Sequence, residues 1–483
     1  MHCGFCLPAC PTYQLWGEEM DSPRGRIHLI GQLLDGASAS QAAAQHIDRC
    51  LGCMACLTAC PSGVRYDRLI GAARSWANQS AGPEDDQGAG PRADIRRSGG
   101  QAGDGSQEAS PSPLPPRSRR DRLVRAAIFA TFPYPDRLRL LVGPLRAAQR
   151  TGLDRLLDHD TLASRLPPEL AAALRVAPRL AVATPTPVKL ASRWPAARRE
   201  PTPIRPPRPS KPRRAGRPPE RIPARGTRRA VVGMLTGCVQ QVFFPQVNVA
   251  TARVLAAEGC EVLIPAGQGC CGALSLHDGR RAEAAGFARR LIETFERAGV
   301  DAIVVNSAGC GSAMKEYQEL LATDSEWADR AAALSAKVAD FSEFLAALGP
   351  AAARHPLPIT VAYHDACHLA HAQRITRAPR DLLLAIPGLS LAEIPDVGTC
   401  CGSAGIYNLV QPQAAADLGE RKAAAVRETG ADLLVSGNPG CALQIASALA
   451  VLESPMPVAH LAEVLDASFR AHPASRLVPS KPG

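Results

Sequence analysis

Aromatic side chains are scarce, at 4% of 483 residues. Long apolar runs are missing, so no stretch of the sequence is suited to span a bilayer as a helix. The G-x-G-x-x-G fingerprint of dinucleotide binding is absent, since Gly233 has no glycine partners at that spacing. A phosphate-binding P-loop, a metalloprotease helix and a Ser-His-Asp arrangement are absent too. Neither FAD nor NAD is therefore expected on this chain. No secretory signal peptide is recognisable ahead of the cysteines, which disfavours a disulfide scaffold. The expected location is cytoplasmic, or peripheral on the inner face of the cell membrane.

Charge is unevenly spread. The net value is +10, and residues 198–229 alone hold twelve Arg or Lys against two Glu. The rest of the chain is thus close to neutral. That tract is rich in proline and has no aromatic ring to stack on bases, so nucleic acid is not an expected partner. It reads as an extended linker, with docking to anionic lipid or an acidic partner as a second role.

Cysteine is abundant, with sixteen in the chain. Cys50, Cys53, Cys56 and Cys60, followed by Pro61, form an unbroken C-x2-C-x2-C-x3-C-P run, a bacterial iron–sulfur ligation pattern. Cys3, Cys6 and Cys10, followed by Pro11, form the same run without its first cysteine. Two such runs hold two [4Fe-4S] clusters, and the fourth cysteine of each serves the other cluster. Cys50, Cys53, Cys56 and Cys10 are expected on one cluster, Cys3, Cys6 and Cys60 on the second. The absent ligand would precede Met1, and a start upstream of Met1 is the expectation. A structural zinc site that recruits His2 or His46 is the competing reading.

Composition divides the chain. A mainly helical ferredoxin-like domain is expected over 1–76, with helices at Ile27–Leu34 and Arg68–Trp76. Residues 77–121 are rich in Gly, Ser, Pro and Arg and too poor in apolar residues to offset ordering, so a disordered insertion is expected. Apolar periodicity returns over 122–197, read as helices that pack on the ferredoxin domain. The basic linker follows over 198–229.

The remainder is duplicated, over 230–350 and 358–470. Thirty-one residues separate Cys238 from Cys270-Cys271-Gly272, and thirty-eight separate Cys271 from Cys310. In the second copy thirty-two residues separate Cys367 from Cys400-Cys401-Gly402, and thirty-nine separate Cys401 from Cys441. Each copy follows an α/β rhythm. Strands are expected at Ala230–Leu235, Glu261–Pro265 and Ala302–Asn306, then at Ile359–Tyr363, Leu391–Ile394 and Asp432–Ser436. Helices are expected at Val249–Ala257, Glu283–Ala298, Asp381–Ile386 and Gln413–Glu428. Ligands of open α/β sheets gather beyond the carboxyl ends of the strands, where these cysteines fall.

The eight repeated cysteines are consistent with one shared cluster, two clusters, a zinc site or a redox-active thiol centre. Gly269, Gly272, Gly309 and Gly440 allow close backbone approach and offer N–H groups to sulfur. Cys260 lies outside the repeat and reads as a core residue. His364 and His368 flank Cys367, either as ligands or proton carriers or as structural caps, with Asp365 bonded to one of them. Lys315 and Glu316 read as solvated helix positions. Arg24 and Arg26 serve either partner docking or a salt bridge.

The segments Cys3-Gly4-Phe5-Cys6 through Cys10-Pro11-Thr12-Tyr13 and Asp21-Ser22-Pro23-Arg24-Gly25-Arg26 closely resemble the iron–sulfur subunits of bacterial glycolate oxidases. Thr236-Gly237-Cys238-Val239-Gln240, Tyr363-His364-Asp365-Ala366-Cys367-His368 and Ser436-Gly437-Asn438-Pro439-Gly440-Cys441 fit the same family. The repeats are similar to the CCG domain shared with heterodisulfide reductase and anaerobic glycerol-3-phosphate dehydrogenase subunits. The resemblance implies a complex in which an FAD-containing subunit oxidises glycolate to glyoxylate and a second flavoprotein-like subunit assists. This chain would relay electrons to a quinone or other membrane acceptor, and no catalytic residue is expected on it. D-lactate or glycerol-3-phosphate dehydrogenase complexes are alternative settings, and a heterodisulfide-reductase-like thiol/disulfide oxidoreductase is another reading. Noncubane CCG motifs end in C-x2-C, but Ala313 and Gln444 stand three residues after Cys310 and Cys441. The fifth cysteine is thus missing from both copies, which speaks against a heterodisulfide-type cluster.

Overall fold

The structure is a computed structural model that describes residues 3–79, 114–115, 117–151, 166–178, 220–395 and 398–478. Most of the insertion expected at 77–121 and of the linker expected at 198–229 lies outside these residues, as do His2 and Met1.

The N-terminal unit is helical: α1 (Pro11–Trp16), α2 (Pro23–Leu34), α3 (Gln41–Asp48), α4 (Ala55–Ala59) and α5 (Tyr66–Gln79). Proline opens α1 and α2, where its missing N–H leaves no bond unmade. The Ser22 and Ser40 hydroxyls each accept an N–H at 3.0 Å, from Gly25 and Ala43, and so cap α2 and α3. Ile30, Leu33, Ile47 and Ile70 close around Cys50 and Cys56.

The first copy forms a five-stranded sheet, from β1 (Glu220–Ile222), β2 (Ala230–Met234), β3 (Cys260–Ile264), β4 (Ala302–Val305) and β5 (Val338–Asp340). The second forms a four-stranded sheet, from β6 (Thr360–His364), β7 (Ser390–Ala392), β8 (Leu433–Ser436) and β9 (Val458–Ala459). Strand orders are β1-β3-β2-β4-β5 and β7-β6-β8-β9. Without β1, both copies run second-first-third-fourth, and all their pairs are parallel. Strand order reverses beside the first strand, so β2/β4 and β6/β8 flank the crevice where such sheets bind ligands. The basic tract reaches into this fold, since β1 pairs antiparallel with β3 and buries Ile222. Arg221 and Arg228 there pair with Glu261.

Two core faces hold the copies together. α9 (Pro245–Ala257) packs on a late helix of the second copy, α17 (Leu461–Phe469). Between them in sequence lie α10 (Ala273–His277), α11 (Arg281–Ala298), α12 (Ala308–Lys315), α13 (Phe341–Leu348), α14 (Arg377–Leu384), α15 (Pro412–Glu428) and α16 (Pro439–Val451). α13 packs on α14, the reciprocal contact. Val254, Leu255, Phe341 and Leu345 thus share one core with Leu383, Leu461 and Val464.

Three earlier helices bridge the parts: α6 (Arg119–Thr131), α7 (Pro135–Thr151) and α8 (Pro168–Arg175). These were expected to pack on the ferredoxin domain, but their apolar contacts go mainly to the repeats. Ile128 and Phe129 of α6 cluster with Leu274, Ile406 and Leu409. Contact with the N-terminal unit is ionic, through Arg117 and Arg125 to Asp48 at 2.9 and 2.7 Å. The N-terminal unit's own core forms around its cysteines and takes only Leu114 from the neighbouring segment.

Candidate metal centre

Cys10, Cys50, Cys53 and Cys56 line one cavity, together with Arg26, Gly52 and Tyr66. Cys10 stands just ahead of α1 with φ −90° and ψ 114°, and Cys60 just past α4 with φ −87° and ψ 110°. Pro11 and Pro61 hold the exits. Between Cys50 and Cys56 the backbone turns left-handed at Gly52 (φ 68°) and Met54 (φ 65°). A left-handed methionine costs on the order of 1 kcal/mol and persists where its surroundings over-determine it.

The thiols are electrostatically unequal. Burial pushes the Cys50 pKa up, but Arg26, Arg74, the Tyr66 hydroxyl and the Gly52 N–H bring it below normal. Both hydrogen bonds to its sulfur are 3.4 Å long. Cys53 and Cys56 are each helped only by a backbone N–H, of Ala55 and of Cys56 itself, and burial plus neighbouring thiolates push both upward. Cys6 is half-buried, Cys60 partly buried and Cys3 exposed. His46 is engaged by Asp21 at 3.0 Å. Arg26 is fully buried, which excludes it from partner docking. It donates to Thr12 Oγ1 (3.1 Å), Asp21 Oδ1 (3.1 Å) and the His46 carbonyl (2.6 Å). Arg24 pairs with Glu19 at 2.6 Å.

All eight repeated cysteines lie past the carboxyl ends of the strands. In the first copy Cys238 Sγ lies 3.6 Å from Cys270 Sγ, and Cys271 hydrogen-bonds both Cys270 and Cys310. The Gly272 N–H donates to Cys270 Sγ at 3.3 Å. Hydrogen bonds from Cys238 and Cys271 hold Cys270 well below the usual thiol range. In the second copy the chain runs Cys367, Cys400, Cys401, Cys441. Asn438 Nδ2 donates to Cys441 Sγ at 3.3 Å. His364 stands beside this group, and burial first, then Lys422, lowers its pKa to about 3, so it is neutral. Cys260 is a core residue at the start of β3, its pKa raised to about 11 by burial.

The second copy touches the N-terminal centre. Cys53 shares an apolar cluster with Leu51, Cys367, Cys400 and Tyr407. A π-helical turn over His368–Ala372 packs on α4. His368 Nε2 donates to the Gly52 carbonyl at 3.0 Å, and His371 Nδ1 lies 2.9 Å from Thr58 Oγ1. His368 is therefore a docking residue. Asp365 bonds neither histidine but takes both prongs of Arg380, at 2.9 and 2.7 Å. Lys315 pairs with Glu343 at 2.6 Å, and burial raises the half-buried Glu316 to about 7.

Sequence reasoning missed Tyr66, Arg74 and His277. Arg74 donates to the Cys50 carbonyl and, at 2.7 Å, to the His277 carbonyl. The available signal was a cation at position 74 among the apolar positions Ile70, Ala73 and Ala77 of one helix.

Three family models match. A 4Fe-4S dicluster domain covers residues 1–64, and the linker region of the glycolate oxidase iron-sulfur subunit covers 120–177. A cysteine-rich domain, CCG, covers 232–315 and again 361–446. The probable glycolate oxidase iron-sulfur subunit of Bacillus subtilis (strain 168) is 32% identical over 472 residues, 96% of this chain and 92% of that protein. The glycolate oxidase iron-sulfur subunit of Escherichia coli (strain K12) is 33% identical over 453 residues, 93% of this chain and 89% of that protein. Lactate utilization protein A of Halalkalibacterium halodurans is 34% identical over 236 residues, 49% of this chain and 96% of that protein.

Proposed function

The chain belongs to the family of glycolate oxidase iron-sulfur subunits, and from that membership we propose how it works as an electron-transfer subunit. An FAD-containing partner oxidises glycolate to glyoxylate, with a second flavoprotein-like subunit beside it. This chain takes the electrons and passes them toward a quinone or other membrane acceptor. Cys10, Cys50, Cys53 and Cys56 hold one [4Fe-4S] cluster, and Cys3, Cys6 and Cys60 provide three ligands of a second. The clusters supply one-electron storage, and the protein sets their potentials through charge and hydrogen bonds to sulfur.

The observation that carries this reading is the convergence of four thiols from two distant runs on one cavity. Arg26, Arg74, the Tyr66 hydroxyl and the Gly52 N–H supply the positive charge and donors that thiolate ligands need. Among the described residues no helix is long and apolar enough to cross a membrane, so contact with a membrane acceptor is proposed to be peripheral.

Anaerobic purification followed by iron and acid-labile sulfide analysis tests the proposal. About eight of each per chain are expected for two full clusters. Cys53→Ser should lose about four of each and abolish glycolate-to-quinone turnover in the assembled complex. Unchanged turnover in that variant would sink the assignment.

A further inference from the structure

We propose that the second copy binds a single thiophilic metal ion through His364, Cys401 and Cys441, and that the first copy lacks this site. The three ligand atoms lie within 4.8 Å of one another, and among the described residues no other trio of such donors is as compact. All three residues are buried, at 2%, 1% and 3% exposure. His364 Nε2 has no hydrogen-bond partner. A buried ring nitrogen left unpaired costs about 1–3 kcal/mol, and an ion is one of the few things that accounts for it.

The donors come from adjacent strand ends. His364 closes β6 opposite Ser436 of β8, Cys401 follows β7, and Cys441 lies in the first turn of α16 after β8. Asn438 Nδ2 donates to Cys441 Sγ, an outer contact of the kind that orients a metal ligand. Two thiolates and an imidazole suit Zn(II) or Fe(II) and disfavour Mg(II) and Ca(II). Tetrahedral zinc holds such donors about 3.5–3.8 Å apart, so closure asks for movements of about 1 Å. Three protein ligands leave the fourth position open.

The repeat itself is the control. Counting back three residues from the first cysteine of each copy gives His364 before Cys367 and Leu235 before Cys238. Leu235 is buried in the first copy's core with Cys271, and partly buried Cys310 packs against that cluster. The first copy therefore keeps the two matching thiols but not the nitrogen. The inference stands apart from the assignment of the N-terminal clusters, which use none of these residues.

The full chain, purified anaerobically with its iron retained, is first assayed for iron in excess of acid-labile sulfide and for zinc. It is then titrated with Zn(II) and examined at the zinc absorption edge. One ion per chain is expected, with two sulfurs at about 2.3 Å and one nitrogen at about 2.0–2.1 Å. His364→Leu installs the first copy's residue and should remove the nitrogen and weaken binding at least about 100-fold. Cys310→Ser, in the first copy, should leave binding unchanged. If His364→Leu does not fold, His364→Gln reads the same loss. An all-sulfur shell, wild-type affinity in the folded His364 variant, or loss on Cys310→Ser would overturn the proposal. So would extra iron matched by sulfide, which marks a cluster.

Discussion

Arg26 shows how much a single buried charge carries. Burial works against its guanidinium, yet Cys50, Tyr66, Cys10 and Asp21 hold its pKa above normal. Asp21, equally buried, also receives His46 and Arg49. Removing one partner of a buried pair leaves the other uncompensated, at about 3–5 kcal/mol. Arg26→Met should therefore lower the melting temperature by several degrees. It should also make the adjacent cluster harder to reduce, because a nearby cation favours the more negative reduced state. Thermal melting and an EPR-monitored redox titration read the two effects separately, and an unshifted potential would refute the electrostatic role. Arg24→Ala is the control for stability, since its pair with Glu19 is partly solvated and screened by water. The sequence marks both arginines as neighbours of the cysteine runs. It does not say which faces inward, because residues two apart on a helix point about 200° apart.

Elements reveal where the parts dock. Gly279 follows α10 with φ +83°, and a Cβ there would lie 2.5 Å from the Arg74 carbonyl carbon. Around this contact Ser75 Oγ donates to the Gly279 carbonyl (3.0 Å) and Asn78 Nδ2 to the Asp278 carbonyl (2.7 Å). Gly279→Ala should push α5 off the first copy at a cost of about 3 kcal/mol, combining backbone strain with overpacking. Limited proteolysis should then cut within α5 faster than in the parent, and equal rates would refute the close approach. The long elements are readable in the sequence: α11 and α15 carry sustained apolar periodicity, β2 and β4 are apolar runs, and β6 and β8 hold the apolar stretches Val361–Tyr363 and Leu433–Val435. β5 and β9 are not, because three and two residues are too few to show a period. β1 hid inside the basic tract, where Ile222 is its one buried side chain. The same limit governs the site. The thiols announce themselves because cluster ligands repeat at short local spacing. Tyr66 and His277 leave no such pattern, and Arg74 shows only as a cation among the apolar positions of α5.

At the scale of the whole molecule, the N-terminal unit and the repeats owe their stability to different things. Each copy has its own sheet, parallel but for β1 in the first, and the two share a core that includes Val254 and Val464. Among the described residues the N-terminal unit has no strand, and its core is organised around Cys50 and Cys56. A unit this small buries too little surface to be robust alone. Cluster binding is then folding free energy for that unit, because the ligand set exists only when the chain is folded. Stripping the iron anaerobically with a chelator should therefore unfold α2, α3 and α5 while β2, β4, β6 and β8 persist. Hydrogen exchange should rise sharply in those three helices. It should rise less in the His368–Ala372 turn and around Tyr407, which lose the neighbours Gly52, Thr58 and Cys53. Exchange in the central strands should stay at the level of the iron-loaded chain, and the melting curve should lose its lower transition. If the strands instead lose protection in step with the helices, the interface among Cys53, Cys367 and Cys400 couples the units into one cooperative whole, and the N-terminal unit is not a separate folding unit.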